Sequence, residues 1–509
     1  MKTFFKTVMA ITIFSICEKF LGFLYRIYLS RSIGSEGIGL YQVALSVFAL
    51  LLTLACSGIP ITVSRLMTKY KAEENPKKVA QIISSGLFLA VFFSLPICII
   101  LFIFKDKLTL FFSDSRCIPI FLIVLPSLVF NSVYAVMRGV FWGNKDFLPY
   151  AVLELLEEIC MIFVGILLIG KAKSVYQGAI YAGVAVLCSY IFSFLSATIF
   201  FSYRKTKIGN PYKELKPLLF SSVPVTLMRT ANSLAVSLVS ILLPLRLVLA
   251  GYSNSQAMSL FGSAAGQAMP ILYIPTTLIG SFTLVLVPEI SENFYKKRKE
   301  FLKNDIEKAI KFTTFLSCIF IPVFTVCGKE IGILIFDNYN CGTYLSYSSF
   351  LMLFMGLSGI TTSVLNSIGL EKQTLLFYII GAIFLLLSVY FLPKFLGIYS
   401  LLVGFTFVYA TTTLFNLILL KRHCPIKLSY KRFIAFSTVF CLPTILWGVM
   451  LKNLLLPFLG TFFTFITCAV LLVIFYCLLF FVFGIIKINV IKNLKIKKAT
   501  NKSVAKTII

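Results

Sequence analysis

Residues 68–104 read TKYKAEENPKKVAQIISSGLFLAVFFSLPICIILFIF. The first twelve positions hold Lys69, Lys71, Glu73, Glu74, Lys77 and Lys78, and the run 80–104 that follows holds no charge. A run of that length, folded as a helix, is long enough to cross roughly 30 Å of hydrocarbon. It does not alternate between apolar and polar residues, as a barrel strand would. Runs of the same kind recur from Thr7 almost to the C-terminus, and helices are the only open-ended elements that satisfy their own backbone in lipid. The expected fold is an all-α integral membrane protein with about 14 transmembrane helices. Their approximate spans are 8–30, 39–67, 80–104, 117–141, 150–170, 178–201, 217–248, 256–288, 309–335, 344–367, 374–392, 398–420, 433–451 and 458–486.

Composition agrees. The hydrophobic fraction is 59%, charged residues are 13% and the mean hydropathy is +0.95, against roughly 45–50% apolar in soluble domains. Met1, Lys2 and Lys6 precede the apolar stretch Val8–Cys17, but no small-residue cleavage site follows, so the segment reads as a retained first helix. Most of the thirteen cysteines sit inside apolar runs, among them Cys17, Cys56, Cys98, Cys160, Cys188, Cys318, Cys441 and Cys477. There they behave as small hydrophobes. With no CxxC pair and one histidine, His423, no metal site is expected.

The net charge of +28 would suggest nucleic acid in a soluble chain. Here the lysines are confined to alternate short loops with no aromatic-basic platform, so anionic headgroups are the expected partner. Segments 68–79, 202–216, 289–311 and 421–432, together with seven lysines after Ile486, hold most of the basic residues. The split between alternate sides is roughly 32 against 10. Both termini are therefore expected in the cytoplasm, with an even number of crossings. The basic segments also suggest an organisation. Residues 1–205 form an N-terminal lobe of six helices, and 206–420 a second six. Two extra helices follow over 421–486, and 487–509 is a basic cytoplasmic tail.

Ionisable groups at membrane depth cost about 2.5–3.5 kcal/mol each on insertion scales and so point to a cavity or a partner. The first span carries Glu18, Lys19 and Arg26, the last two on one face about two turns apart. The seventh carries a polar stripe, Ser222, Thr226, Arg229, Ser233, Ser237 and Ser240, at spacings of three and four. Arg229 is roughly 18 Å into that span, and the stripe is expected to line a cavity, with helix packing as the alternative. The fifth span carries Glu154, Glu157 and Glu158 within about one turn. Three acids so close repel unless paired or protonated, which makes them counter-ions for the arginines or sites for a proton or cation. Arg65, Arg138 and Arg246 lie near span ends, where snorkelling to headgroups competes with a gating role. The eighth span has no charge between Gln256 and Val287 but carries Gly262, Gly266, Pro270, Pro275 and Gly280, a pattern for close packing and kinking. No phosphate loop, histidine-based triad or large external loop is present to support an enzyme.

Four stretches then carry a resemblance. They are Leu21-Gly22-Phe23 with Arg26, Arg31, Gly34, Glu36-Gly37 and Gly39-Leu40-Tyr41; Gly58-Ile59-Pro60 with Arg65; Met137-Arg138-Gly139 with Gly143, Pro149 and Glu154; and Pro224-Val225-Thr226, Arg229, Asn232-Ser233, Pro244, Arg246-Leu247, Gly251, Phe261-Gly262, Pro270, Pro275, Val287-Pro288 and Glu292. The chain resembles the stage V sporulation protein B group of polysaccharide-biosynthesis membrane proteins. That group lies within the multidrug/oligosaccharidyl-lipid/polysaccharide flippase superfamily and is related to lipid II flippases. The resemblance is strongest to about residue 310 and weak after about 420. It implies two six-helix lobes around a central cavity, plus two C-terminal helices.

The implied activity is flipping of an undecaprenyl-pyrophosphate-linked oligosaccharide or peptidoglycan precursor by alternating access, for spore cortex or cell envelope, and not an enzymatic one. Lys19, Arg26, Arg229, Asn232 and Ser233 are the expected substrate-binding residues. Arg65, Arg138, Glu154, Glu157 and Glu158 are the gate or coupling candidates. No cofactor is expected beyond a coupling cation, H+ or Na+. The expected partners are a lipid-linked glycan, membrane lipids and envelope-synthesis enzymes, with no nucleic acid. A cation-coupled multidrug exporter and a membrane glycan polymerase or ligase are the competing readings. Two departures stand out: the eighth span is uncharged until Glu289, and Lys19 stands where sporulation-type members commonly carry arginine.

Overall fold

The computed structural model describes residues 2–423 and 430–483; the expected tail 487–509 and Lys427 lie outside the described residues. Among the described residues 89% are helical and none lies in a strand. The helices are α1 (Lys2–Cys56), α2 (Ile59–Ala72), α3 (Pro76–Ile103), α4 (Cys117–Val124), α5 (Ser127–Asn144), α6 (Phe147–Ile169), α7 (Val175–Tyr203), α8 (Leu215–Leu249), α9 (Asn254–Phe261), α10 (Met269–Tyr295), α11 (Lys299–Phe336), α12 (Tyr339–Ser348), α13 (Leu351–Ser367), α14 (Glu371–Phe391), α15 (Pro393–Leu396), α16 (Tyr399–His423) and α17 (Lys431–Val482). A π-helical turn, Gly262–Ala268, joins α9 to α10. Nine of the described helical stretches are long and apolar enough to cross a membrane, or up to eleven when each of two bent pairs counts as one span.

Two of the helices are longer than any bilayer needs, and each is broken at a glycine. In α1, Gly34 has φ 64° and ψ −178°. In α17, Gly460 has φ 66° and ψ 175°. That backbone region is open essentially to glycine alone, so both breaks require the glycine that stands there. The two halves of α17 lie against one another: Trp447 stacks on Phe475 at 4.6 Å, and Tyr476 Oη donates to Ser437 O at 3.0 Å.

The chain forms two compact units. The first comprises Met1–Pro270, Ile335–Cys341 and Tyr378–Val408. The second comprises Ile271–Leu334, Gly342–Phe377 and the chain from Tyr409 on. In the first unit α1 is the central element, packed by α6, α7, α8, α9 and the π turn. Small residues set its spacing. A Cβ on Gly58 would stand 2.3 Å from Ser222 O, one on Gly139 2.4 Å from Pro60 O, and one on Gly262 1.9 Å from Ser35 O. These three of the glycines that carry the resemblance are therefore points where one helix backbone touches another.

The second unit is held by aromatic packing between α11 and α17. The Phe480 ring is fully buried, with the rings of Phe315, Phe433 and Phe440 at 5.2, 5.6 and 5.3 Å. It also encloses an ion pair: Lys452 Nζ lies 2.6 Å from Glu330 Oε1 and donates to Val326 O at 2.9 Å.

Candidate functional site

The three glutamates of α6 share one side of their helix, as positions i, i+3 and i+4 do, yet each carboxylate meets a different neighbour. Glu154 Oε1 accepts from Tyr134 Oη at 3.0 Å and faces Arg138 Nη1 of α5 at 3.5 Å. Glu157 lies within hydrogen-bonding reach of Ser193 on α7. Glu158 presses on α1, its Oε1 being 2.8 Å from where a Cβ on Gly22 would sit. The acids remain near enough for Glu154 to act on both Glu157 and Glu158, and Gly22 is the residue that admits the third acid.

Arg138 does not snorkel. Its guanidinium stays 5.3 Å from the centre of the Tyr134 ring, paired to Glu154. Its Nε is buried with no hydrogen-bond partner among the described residues. Glu18 on α1 stands near enough to Glu154 and Arg138 for their charges to act on it, and Arg26 stands in the same relation to Glu158. The core of the first unit therefore gathers four carboxylates (Glu18, Glu154, Glu157, Glu158) around two guanidiniums, with Lys19 exposed beside Glu18.

Arg26 is further anchored. Its Nη1 donates to Gly266 O at 3.0 Å, a carbonyl in the π turn. Gly262 and Gly266 let this turn approach α1, as the close-packing pattern implied, and a polar belt seals the contact. Gln267 Nε2 donates to Ser30 Oγ at 2.5 Å, while Asn338 Nδ2 donates to Gln267 Oε1 at 2.7 Å and to Ser263 Oγ at 2.8 Å. Sequence reading passed over this belt. The signal was present, because Gln267 is an amide inside an otherwise uncharged run, and a fully buried one must find partners.

The polar stripe of the seventh span divides in two. Thr226 Oγ1 accepts from Gly58 N at 3.1 Å, Ser233 Oγ faces Thr53 Oγ1 at 3.4 Å, and Ser222, Ser237 and Ser240 are buried. Those hydroxyls serve helix packing, so the stripe does not line a cavity along its length. Arg229 and Asn232, by contrast, are exposed on the same helix. Neither they nor Lys19 nor Arg65, which is also exposed, has an ion pair or hydrogen bond among the described residues. Arg246 is fixed in place: its Nε donates to Tyr390 O at 2.7 Å and its guanidinium lies 3.8 Å over the Tyr390 ring.

The structure thus brings together Arg26, Arg138, Glu154, Glu157 and Glu158 around α1 and α6. Arg229, Asn232, Lys19 and Arg65 stand apart as unneutralised or exposed groups. Among the described residues no group of three His, Cys, Asp or Glu side chains is arranged to hold a metal ion.

Comparison with known proteins places this geometry. The profile of the family described as "Polysaccharide biosynthesis protein" matches residues 4–294. The chain is 24% identical over 398 residues to stage V sporulation protein B of Bacillus subtilis (strain 168), covering 75% of this chain and 76% of that protein. It is 22% identical over 483 residues to the lipid II flippase MurJ of the same organism, covering 87% and 86%. Among solved structures, lipid II flippase MurJ in an inward closed conformation superposes with a TM-score of 0.71 at 16% identity, over 94% of this chain and all of that one. An inward-facing multidrug resistance MATE transporter of the MOP superfamily superposes with a TM-score of 0.65 at 15% identity, over 80% and 94%. The fold is that of the MOP-superfamily transporters, and the chain is a multi-pass membrane protein.

Proposed function

Because this chain belongs to the polysaccharide biosynthesis protein family, we propose that it flips an undecaprenyl-pyrophosphate-linked glycan across the cytoplasmic membrane by alternating access. The observation that carries this reading is Arg229, an exposed guanidinium about 21 Å into a long apolar helix, with no counter-ion among the described residues. A cation held at depth without a protein partner asks for an anionic ligand, and a guanidinium suits a phosphate in particular. Lys19, exposed beside Glu18, adds a second cation, and Asn232 is exposed near Arg229 on the same helix. The prenyl chain stays in the bilayer, so only the headgroup has to cross.

The α6 acids are the coupling element of this proposal. Their carboxylates reach three different helices, and no three of the described acids are arranged to hold a metal ion. H+ is therefore proposed over Na+. Crossing number and orientation belong to the same reading. Adding the charged helix α6 and one further crossing at each glycine break to the eleven spans gives fourteen. An even count puts both termini on one side, which the basic loops make the cytoplasmic one, with six helices in each of the lobes 1–205 and 206–420.

The four carboxylates of the first unit also suit a cationic ligand, which makes a proton-coupled exporter of cationic compounds the second reading. Proteoliposomes separate the two. The proposal expects translocation of a fluorescent undecaprenyl-pyrophosphate glycan, accelerated by an imposed pH gradient, and no export of a cationic dye. Dye export without glycan translocation would replace it with the second reading.

A further inference from the structure

The first unit holds a cavity that the transport reading leaves unused. It opens where α2 ends, α3 begins, α5 ends and α7 ends, and its volume is about 410 Å³. Its apolar lining is Met67, Pro76, Val79, Ile83 and Val140. Its polar lining is Lys71, Asn75, Asn144, Arg204 and Lys207, with Glu74 as the lining carboxylate; Lys71 follows Met67, and Asn144 follows Val140, by one helical turn. All four helix ends border apolar runs, so the cavity lies at a hydrocarbon–water boundary. The basic loops 68–79 and 202–216 mark that boundary as the cytoplasmic one.

Two of the three cations are held in place and keep donors to spare. Lys71 Nζ donates to Asn144 Oδ1 at 2.5 Å and to Gly143 O at 3.4 Å, leaving one of its three hydrogens. Arg204 Nη1 lies 2.8 Å from Asp146 Oδ2, with the guanidinium 5.0 Å over the Phe200 ring. Lys207 is exposed and has no partner among the described residues.

We propose that this cavity binds the headgroup of an anionic phospholipid, with Lys71, Arg204 and Lys207 directed at the phosphate and the first carbons of the acyl chains against Met67, Val79 and Val140. Basic pockets between transmembrane helices on the cytoplasmic side are suited to such headgroups. The mixed lining selects a lipid over a free phosphate, which has no use for the apolar residues. Occupancy would brace the segment that leads into the Arg229 helix. That segment is already clipped to α2 and α3, with Gly209 N donating to Ser84 Oγ at 2.9 Å and Tyr70 Oη donating to Glu214 Oε2 at 2.5 Å.

The test uses the full chain in mixed micelles, with the affinity of the tightest lipid site read by native mass spectrometry. The probes are dioleoyl phosphatidylglycerol, dioleoyl phosphatidylcholine and inorganic phosphate. The expected result is preferential retention of phosphatidylglycerol. Its affinity should fall about five-fold in Lys207→Gln and further in Lys71→Gln, while Lys213→Gln, an exposed neighbour outside the cavity, leaves it unchanged. Lys207 is exposed, so its variant decides the matter even where Lys71→Gln does not fold. Unchanged phosphatidylglycerol affinity in Lys207→Gln, or inorganic phosphate displacing the lipid at equal concentration, would overturn the proposal.

Discussion

At the contact between α11 and α17 one carboxylate meets one ammonium: Glu330 and Lys452, 2.6 Å apart, with side chains only 12% and 18% exposed. Around α6 four carboxylates share two guanidiniums, and the closest of those pairs, Glu154 and Arg138, is 3.5 Å apart. The first arrangement is closed. Each charge is matched within the unit and a backbone carbonyl takes a further ammonium hydrogen; Glu330 Oε2 alone of the pair is buried without a hydrogen-bond partner among the described residues. The second is open, with more acids than bases in the core and exposed bases elsewhere on the same unit. A fold that spends membrane-depth charge on structure balances it locally. One that keeps charge for transport leaves it unbalanced until a proton or a substrate arrives.

The strongest way to sharpen this contrast is to remove an exposed charge from the open side. Arg229→Ala is expected to lower glycan translocation about 1,000-fold, equivalent to ~4 kcal/mol, with membrane insertion and melting temperature unchanged. Next is the closed pair. Lys452→Met strands Glu330 and is expected to cost about 3 kcal/mol of stability, read as a lower melting temperature in detergent. The double variant Lys452→Met/Glu330→Leu should recover most of that, and transport per folded molecule should stay at the wild-type level. If the single variant melts normally, the pair is not what holds α17 to α11.

Packing comes third. Gly262→Ala forces a methyl to within 1.9 Å of Ser35 O and should cost roughly 1–3 kcal/mol, whereas Gly280→Ala, with open space around it, should cost far less. Fourth is the coupling element. Glu157→Gln is expected to slow translocation about ten-fold (~1.4 kcal/mol) and to remove its acceleration by a pH gradient. Retained acceleration would take Glu157 out of the proton path. The smallest effect belongs to Arg65→Gln, which should change stability by less than about 0.5 kcal/mol, because the residue is exposed and unpaired among the described residues.

What the sequence could show follows the range of the forces involved. Apolar runs and loop charge act along the chain, so the all-helical membrane fold was legible from segments such as 68–104. Gly34 was visible as part of a motif, but its role as a break depends on φ and ψ, which no composition reveals. The acids of α6 were visible as a cluster, while their contacts with α5, α7 and α1 depend on which helices pack around them. Arg138 was visible as a charge near a span end, open to headgroups or to a gating role, while its pairing with Tyr134 and Glu154 depends on how α5 and α6 pack. The serines of α8 looked like a cavity lining because helical spacing reports a shared face and not what covers it. Residues far away in sequence cover it: Gly58 meets Thr226, and Thr53 faces Ser233.

The most direct test of the account is translocation of a fluorescent undecaprenyl-pyrophosphate glycan in proteoliposomes, measured in parallel for wild type, Arg229→Ala and Lys452→Met/Glu330→Leu, each at equal folded content. The account predicts transport by wild type and by the double variant, and none by Arg229→Ala. Wild-type rates in Arg229→Ala, or their loss in the double variant alone, would contradict it.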